Sequence, residues 1–190
     1  MSSRLAADPS PPAPDASHAA PAVGDGDRAA ASWREPPWLL PPVLSRVDWI
    51  LEGHQRAFGQ PLLAGLAADL SPRQRAQELF MASRLVLAHD GDDDPRLIYA
   101  NRPALALWRR RWDEMLGLPS RLTAEAEHRA DRALALARAF DQEALEGYGG
   151  IRVDRLGRRF RIEAARLWTL RDARGEARGQ AASFSNWWWL

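Results

Sequence analysis

The sequence predicts an α+β fold, a five-stranded antiparallel sheet with helices on one face, preceded by N-terminal helices. Three observations predict it. Residues 147–187 hold three runs of strand character separated by two short turns, each with Asp early and Gly late (Asp154 to Gly157, Asp172 to Gly175), the pattern of a meander. Two short β-type runs, residues 84–89 and 96–101, lie upstream. Between the two sets of strands sits a helical section, and strands before and after a helical insert point to helices packed on an antiparallel sheet.

The middle run of the meander is the clearest element. Phe160, Ile162, Ala164, Trp168 and Leu170 occupy even positions, while Arg159, Arg161 and Glu163 occupy odd ones. Side chains alternate across a strand, so one face is apolar and the other charged. Arg166 breaks the alternation. Either a bulge near Ala164 and Ala165 resets the phase and turns Arg166 outward, or an arginine points at the covered face. The first run, Ile151-Arg152-Val153, is expected to alternate with its aliphatic residues inward. The last run is built from small residues (Gly179, Ala181, Ala182, Ser183), with Phe184 nearly alone, which leaves room above it for a close helix or a ligand.

Upstream, residues 1–37 are rich in Ala, Pro, Ser, Asp and Gly and read as a disordered tail. Residues 38–84 read as a helical extension and residues 85–190 as the sheet domain. Val43, Val47, Ile50, Leu51, His54 and Phe58 recur at helical spacing, and Gly59 and Pro61 end that helix. Its stripe is expected to pack across the sheet or against a second copy of the chain. Ser71-Pro72 marks the next helix start, with Ala76, Leu79 and Phe80 buried. Asn101 is placed to cap a helix carrying Leu105, Trp108 and Trp112 on one face. Residues 123–146 carry a further helical pattern, with Ala130, Leu134, Ala137, Phe140 and Ala144 as the buried stripe.

Composition removes several function classes. There are no cysteines, hence no disulfides, thiolate zinc sites, cysteine nucleophiles or cysteinyl flavin adducts. A net charge of +1, with all 26 basic residues arginine, gives no electrostatic case for nucleic acid. No apolar run suits a membrane helix and no secretory signal is recognised, so a cytoplasmic location is expected. The acidic loop around Asp90, Asp92, Asp93 and Asp94 lacks the spacing and closing glutamate of a calcium loop. His54, His89 and His128 show no metal spacing. Glu125, Glu127, His128 and Asp131 form an ordinary acidic helix start rather than a catalytic set, and no enzyme activity is expected.

Two stretches resemble the PAS fold: the strand and capped helix through Tyr99, Asn101, Leu107 and Trp108, and the two turns around Gly157 and Gly175. With His89-Asp90-Gly91, Leu118-Pro119-Ser120, Arg158-Arg159-Phe160-Arg161-Ile162-Glu163 and Gly179-Gln180-Ala181-Ala182-Ser183-Phe184, residues 43–187 more specifically resemble the MEKHLA domain family. The resemblance implies a PAS-like sheet and a sensing or regulatory role, and it names no ligand or cofactor. That family also ends plant homeodomain–leucine zipper regulators. This chain has neither of those elements, so DNA binding does not carry over.

A ligand cavity is expected over the last strand. Its candidate residues are Tyr99, Leu105, Trp108, Phe140, Arg166, Gln180, Ala182 and Phe184, with Arg166 holding the carboxylate of a small apolar acid. The competing reading is a ligand-free interaction module that pairs two copies through the N-terminal helices.

Overall fold

The computed structural model describes residues 34–65 and 69–190. The disordered-tail reading of residues 1–37 therefore falls almost wholly outside the described residues. A 3-10 turn (Pro37–Leu39) leads into α1 (Pro41–Phe58), whose prolines sit in the first turn, where no amide donor is required. α2 (Pro72–Met81) opens on a capping box. Ser71 Oγ accepts from the Gln74 amide at 3.3 Å, and Gln74 Oε1 accepts from the Ser71 amide at 2.9 Å. β1 (Leu85–His89) and β2 (Leu97–Ala100) form an antiparallel pair. After α3 (Arg102–Trp108), α4 (Trp112–Met115) and α5 (Arg129–Asp141) come β3 (Ala144–Val153), β4 (Arg159–Arg171) and β5 (Ala177–Phe184). The strand order is β2-β1-β5-β4-β3, antiparallel throughout. A sixth strand, β6 (Asn186–Trp189), pairs with the first half of β4, so the terminal tryptophans extend the sheet.

Helices cover both faces. Val43, Val47 and Ile50 of α1 and Ala76 and Leu79 of α2 pack with Val86, Tyr99, Trp168 and Leu170. The α1 stripe thus lies across the chain's own sheet, the first of its two expected arrangements. Trp168 Nε1 donates to the Ile50 carbonyl at 3.1 Å, and Gly53 permits this approach: a Cβ there would stand 2.9 Å from Trp168 Cδ1. On the other face, Leu85, Leu87, Leu107, Trp108, Phe160 and Phe184 form a second core under α3 and α4, and Ala135 and Ala139 of α5 pack against Leu167. Together Glu35–Leu190 make one unit, and no helix among the described residues is long and apolar enough to cross a membrane.

Two bulges decide which side chains share a face. In β4, Tyr148 opposes Ala165 and Gly150 opposes Ile162, so β4 carries one extra residue, and Ala164 sits at φ +52°. Phe160 and Ile162 face α3 before the bulge, and Ala165 and Leu167 face that side after it. Trp168 is thereby turned to α1, and Arg166 with it. In β2, Ala88 opposes Tyr99 and His89 opposes Leu97, which places one extra residue at Ile98. Tyr99 consequently faces α1 and α2.

Several local expectations are corrected. The helix expected over 123–146 is α5 alone, preceded by two 3-10 turns; Glu143 at φ +61° ends it, and β3 starts at Ala144. The buried positions of α5 are Ala135 and Ala139, while Leu134 and Phe140 are 55% and 49% exposed. Asn101 stands at the N-cap of α3 without capping it; its side chain accepts from the Val86 amide at 2.9 Å and donates to the Arg84 carbonyl at 2.7 Å. The helix stops at Trp108, so Trp112 belongs to α4 and meets Trp38, Phe80 and Tyr99 on the α1 side.

Candidate ligand-binding site

Between α5 and the inner face of the sheet lies a cavity of about 50 Å³. Its apolar wall comes from Trp108 of α3, Leu167 of β4, and Ala182 and Phe184 of β5. The small residues of β5 leave this space, as the sequence suggests. The remaining wall is polar and comes from His89 at the end of β1, Arg132 of α5, and Tyr148 and Arg152 of β3.

Arg152 is 5% exposed. Its Nη1 donates to the Ile151 carbonyl at 2.8 Å and its Nη2 to Tyr148 Oη at 2.8 Å, with the guanidinium 5.4 Å from the Tyr148 ring centre. Gly150 makes room for this pair: a Cβ there would stand 3.1 Å from both Arg152 Nη1 and Tyr148 Oη. Arg132 is half-buried; burial first, and then the charge of Arg152, pull its pKa down to about 10. Among the described residues no carboxylate pairs with either guanidinium.

His89 is buried, and burial lowers its pKa to about 4, so the ring is neutral at neutral pH. Its Nδ1 lies 2.6 Å from the Asp90 carbonyl. A carbonyl only accepts, so this contact assigns the proton to Nδ1 and leaves Nε2 as an acceptor. Among the described residues neither the buried Nε2 nor the buried Nε1 of Trp108, a donor, has a hydrogen-bond partner. Outside the cavity, a wide groove of about 590 Å³ runs between α5 and the loop from Asp90 to Pro95. His89, Arg132 and Leu136 line both spaces and form the wall between them.

Of the residues expected at the site, Trp108, Ala182 and Phe184 line the cavity. Phe140 and Gln180 line the outer groove instead, where Gln180 Nε2 donates to the Leu136 carbonyl at 2.9 Å and ties β5 to α5. Leu105 packs at the margin of the α3 core and does not line the cavity. Tyr99 lies on the opposite face because of the β2 bulge, and burial pushes its phenol pKa up.

Arg166 also lies on the opposite face. Its Nε stands 2.9 Å from Glu146, and its guanidinium lies 4.9 Å from the Phe58 ring centre and 3.4 Å from His54 Nε2. The phase-resetting bulge accounts for its position, and it cannot reach a ligand in the cavity. Sequence reasoning misses Arg132, which lies off the apolar stripe expected over residues 123–146, and Arg152, which alternation sets opposite the aliphatic residues of its run. The run Ile151-Arg152-Val153 is inverted relative to expectation, with arginine buried and the aliphatic residues half-buried. The available signal was Gly149-Gly150, small residues that clear space beside the arginine.

Glu125, Glu127 and His128 bring their ligand atoms within 4.8 Å of one another, but Arg159 Nε already stands 3.1 Å from Glu125 there, and the group lies outside the cavity.

The fold is similar to that of solved PAS and light-oxygen-voltage proteins. A PAS domain of a protein from Colwellia psychrerythraea shares 14% identity, covering 58% of this chain and 92% of that one, at a TM-score of 0.52. An RNA-binding light-oxygen-voltage receptor shares 20% identity over 66% of this chain and 35% of its own, at 0.51. The light-state dimer of the fungal blue-light photoreceptor Vivid shares 14% over 80% and 97%, at 0.50. At these identities the likeness concerns the fold. Among curated proteins no sequence matches significantly. The model of the MEKHLA domain matches residues 44–189, and the chain belongs to the MEKHLA domain family.

Proposed function

We propose that this chain is a cytoplasmic sensory or regulatory domain that binds a small carboxylic acid in the cavity between α5 and the sheet. Arg152 and Arg132 hold the carboxylate, in place of the Arg166 suggested by the sequence alone. One observation carries the reading: two guanidinium groups line one small cavity, and no carboxylate among the described residues pairs with them. Buried like charges are costly when unpaired, so a site that keeps them is suited to an anion. The guanidinium fork matches a carboxylate with two parallel hydrogen bonds, and Arg152 retains free N–H donors beyond the two it uses. The apolar wall of Trp108, Leu167 and Phe184 accepts the remainder of the acid.

Other readings fit less well. A cavity of about 50 Å³ does not admit a fused three-ring flavin, and the chain has no cysteine to form an adduct with one. Of the polar groups that line the cavity besides the arginines, His89 is held neutral by burial, Tyr148 Oη accepts from Arg152 and Thr123 Oγ1 donates to the Ser120 carbonyl, so the site is read as a binding site. A homodimer through α1 would have to use a side of that helix other than Val43, Val47 and Ile50, which the chain's own core covers.

The test is thermal stabilisation by acetate, propionate and butyrate. Wild type and Arg166→Ala should shift alike and Arg152→Met should not shift. Stabilisation of Arg152→Met equal to wild type, or of neither protein, contradicts the reading.

A further inference from the structure

The cavity holds more chemistry than a carboxylate needs. His89 and Trp108 both line it, both are buried, and each has a ring nitrogen without a hydrogen-bond partner among the described residues. The two nitrogens are complementary in kind. His89 Nε2 accepts, because the Asp90 carbonyl fixes the proton on Nδ1, and Trp108 Nε1 only donates. An unpaired buried acceptor and an unpaired buried donor each cost free energy. Among the substituents a small acid can carry, a hydroxyl is the smallest that both donates and accepts.

Size narrows the ligand further. A water needs about 10–15 Å³ of cavity, so about 50 Å³ holds roughly four waters, and, because bonded atoms lie closer together than separate waters, an acid of about four to six non-hydrogen atoms.

We infer that the ligand is a short hydroxy monocarboxylic acid, its carboxylate on Arg152 and Arg132 and its hydroxyl donating to His89 Nε2 while accepting from Trp108 Nε1. The inference rests on the acid-binding reading above and adds a selectivity that the arginines alone do not produce. The arginines would take any small carboxylate that fits. His89 and Trp108 favour one that carries a hydroxyl, because the deoxy analogue leaves both nitrogens unpaired.

The test compares glycolate with acetate and lactate with propionate by calorimetric titration of the full chain. Each hydroxy acid should bind about tenfold more tightly than its deoxy partner, the scale of one net hydrogen bond to a buried group. In Trp108→Phe, which keeps the ring and removes the donor, and in His89→Met, which removes the acceptor, the ratio should fall toward one. Trp108→Phe carries the test if His89→Met does not fold. Equal affinity for hydroxy and deoxy acids in the wild type overturns this inference and leaves the acid-binding reading standing. A ratio unchanged in both variants overturns it as well. Binding of none of the four acids overturns both.

Discussion

Arg132 of α5 and Arg152 of β3 line the same cavity, and the charge of Arg152 helps to lower the pKa of Arg132, with no carboxylate among the described residues paired to either. Such an arrangement opposes stability in the ligand-free protein. Replacing Arg132 by methionine, which preserves much of its length, should therefore raise the stability of the ligand-free chain by about 1–2 kcal/mol. Chemical denaturation without added acid measures this. Destabilisation would mean that Arg132 has a structural partner.

Gly150 sets the space in which Arg152 meets Tyr148. In Gly150→Ala the new methyl group stands 3.1 Å from both polar atoms and displaces them by a few tenths of an ångström. Alanine also suits a strand better than glycine by about 0.5–1 kcal/mol. The expected outcome is an unchanged or raised melting temperature together with several-fold weaker binding of propionate. Full affinity in this variant would show that the Arg152–Tyr148 geometry is not needed for binding.

His89 gives the stability curve a defined pH dependence. Its pKa is about 4 folded and 6.5 in the ordinary state. Above pH 6.5 the imidazole is neutral in both states. Between pH 6.5 and 4 the unfolded chain takes up a proton that the folded chain does not, so stability falls as pH falls through that window, by roughly 3 kcal/mol in total. Urea denaturation at intervals from pH 7.5 to 4 should show the decline, and His89→Met should flatten it. Equal slopes in the two proteins would place the loss on other groups.

Ala164 holds φ +52° at the β4 bulge, a conformation that costs an alanine about 1 kcal/mol or more. Ala164→Gly should raise the melting temperature by a few degrees without altering propionate affinity, because the bulge is kept. A lower melting temperature would indicate that the methyl group contributes packing of its own.

These bulges also mark where the sequence stops being readable. The order of elements follows from turn residues and alternation, and Ala76, Leu79, Phe160 and Ile162 are buried as their spacing requires. Alternation places a residue on a face only while the pairing register is unbroken. One inserted residue in β4 moves Arg166 and Trp168 to the α1 side, and one in β2 does the same to Tyr99. The sequence offers the Arg166 alternatives but not the choice between them, since that depends on which residue β3 sets opposite Ala165.

The buried face of α5 departs from its sequence pattern for a different reason. Its alanine-rich turns give two usable apolar stripes, and the tertiary contact with Leu167 selects Ala135 and Ala139 over Leu134 and Phe140. Arg132 and Arg152 run against the hydrophobic pattern of their own elements, as residues kept for a ligand are expected to do.

Titration of the chain at neutral pH with propionate and with propionamide tests the central claim most directly. The two molecules have nearly the same shape and differ in charge. Propionate should bind wild type, propionamide should bind at least tenfold more weakly, and Arg152→Met should lose the preference. Equal binding of the two, or binding of neither, would contradict an acid-binding cavity built on Arg152 and Arg132.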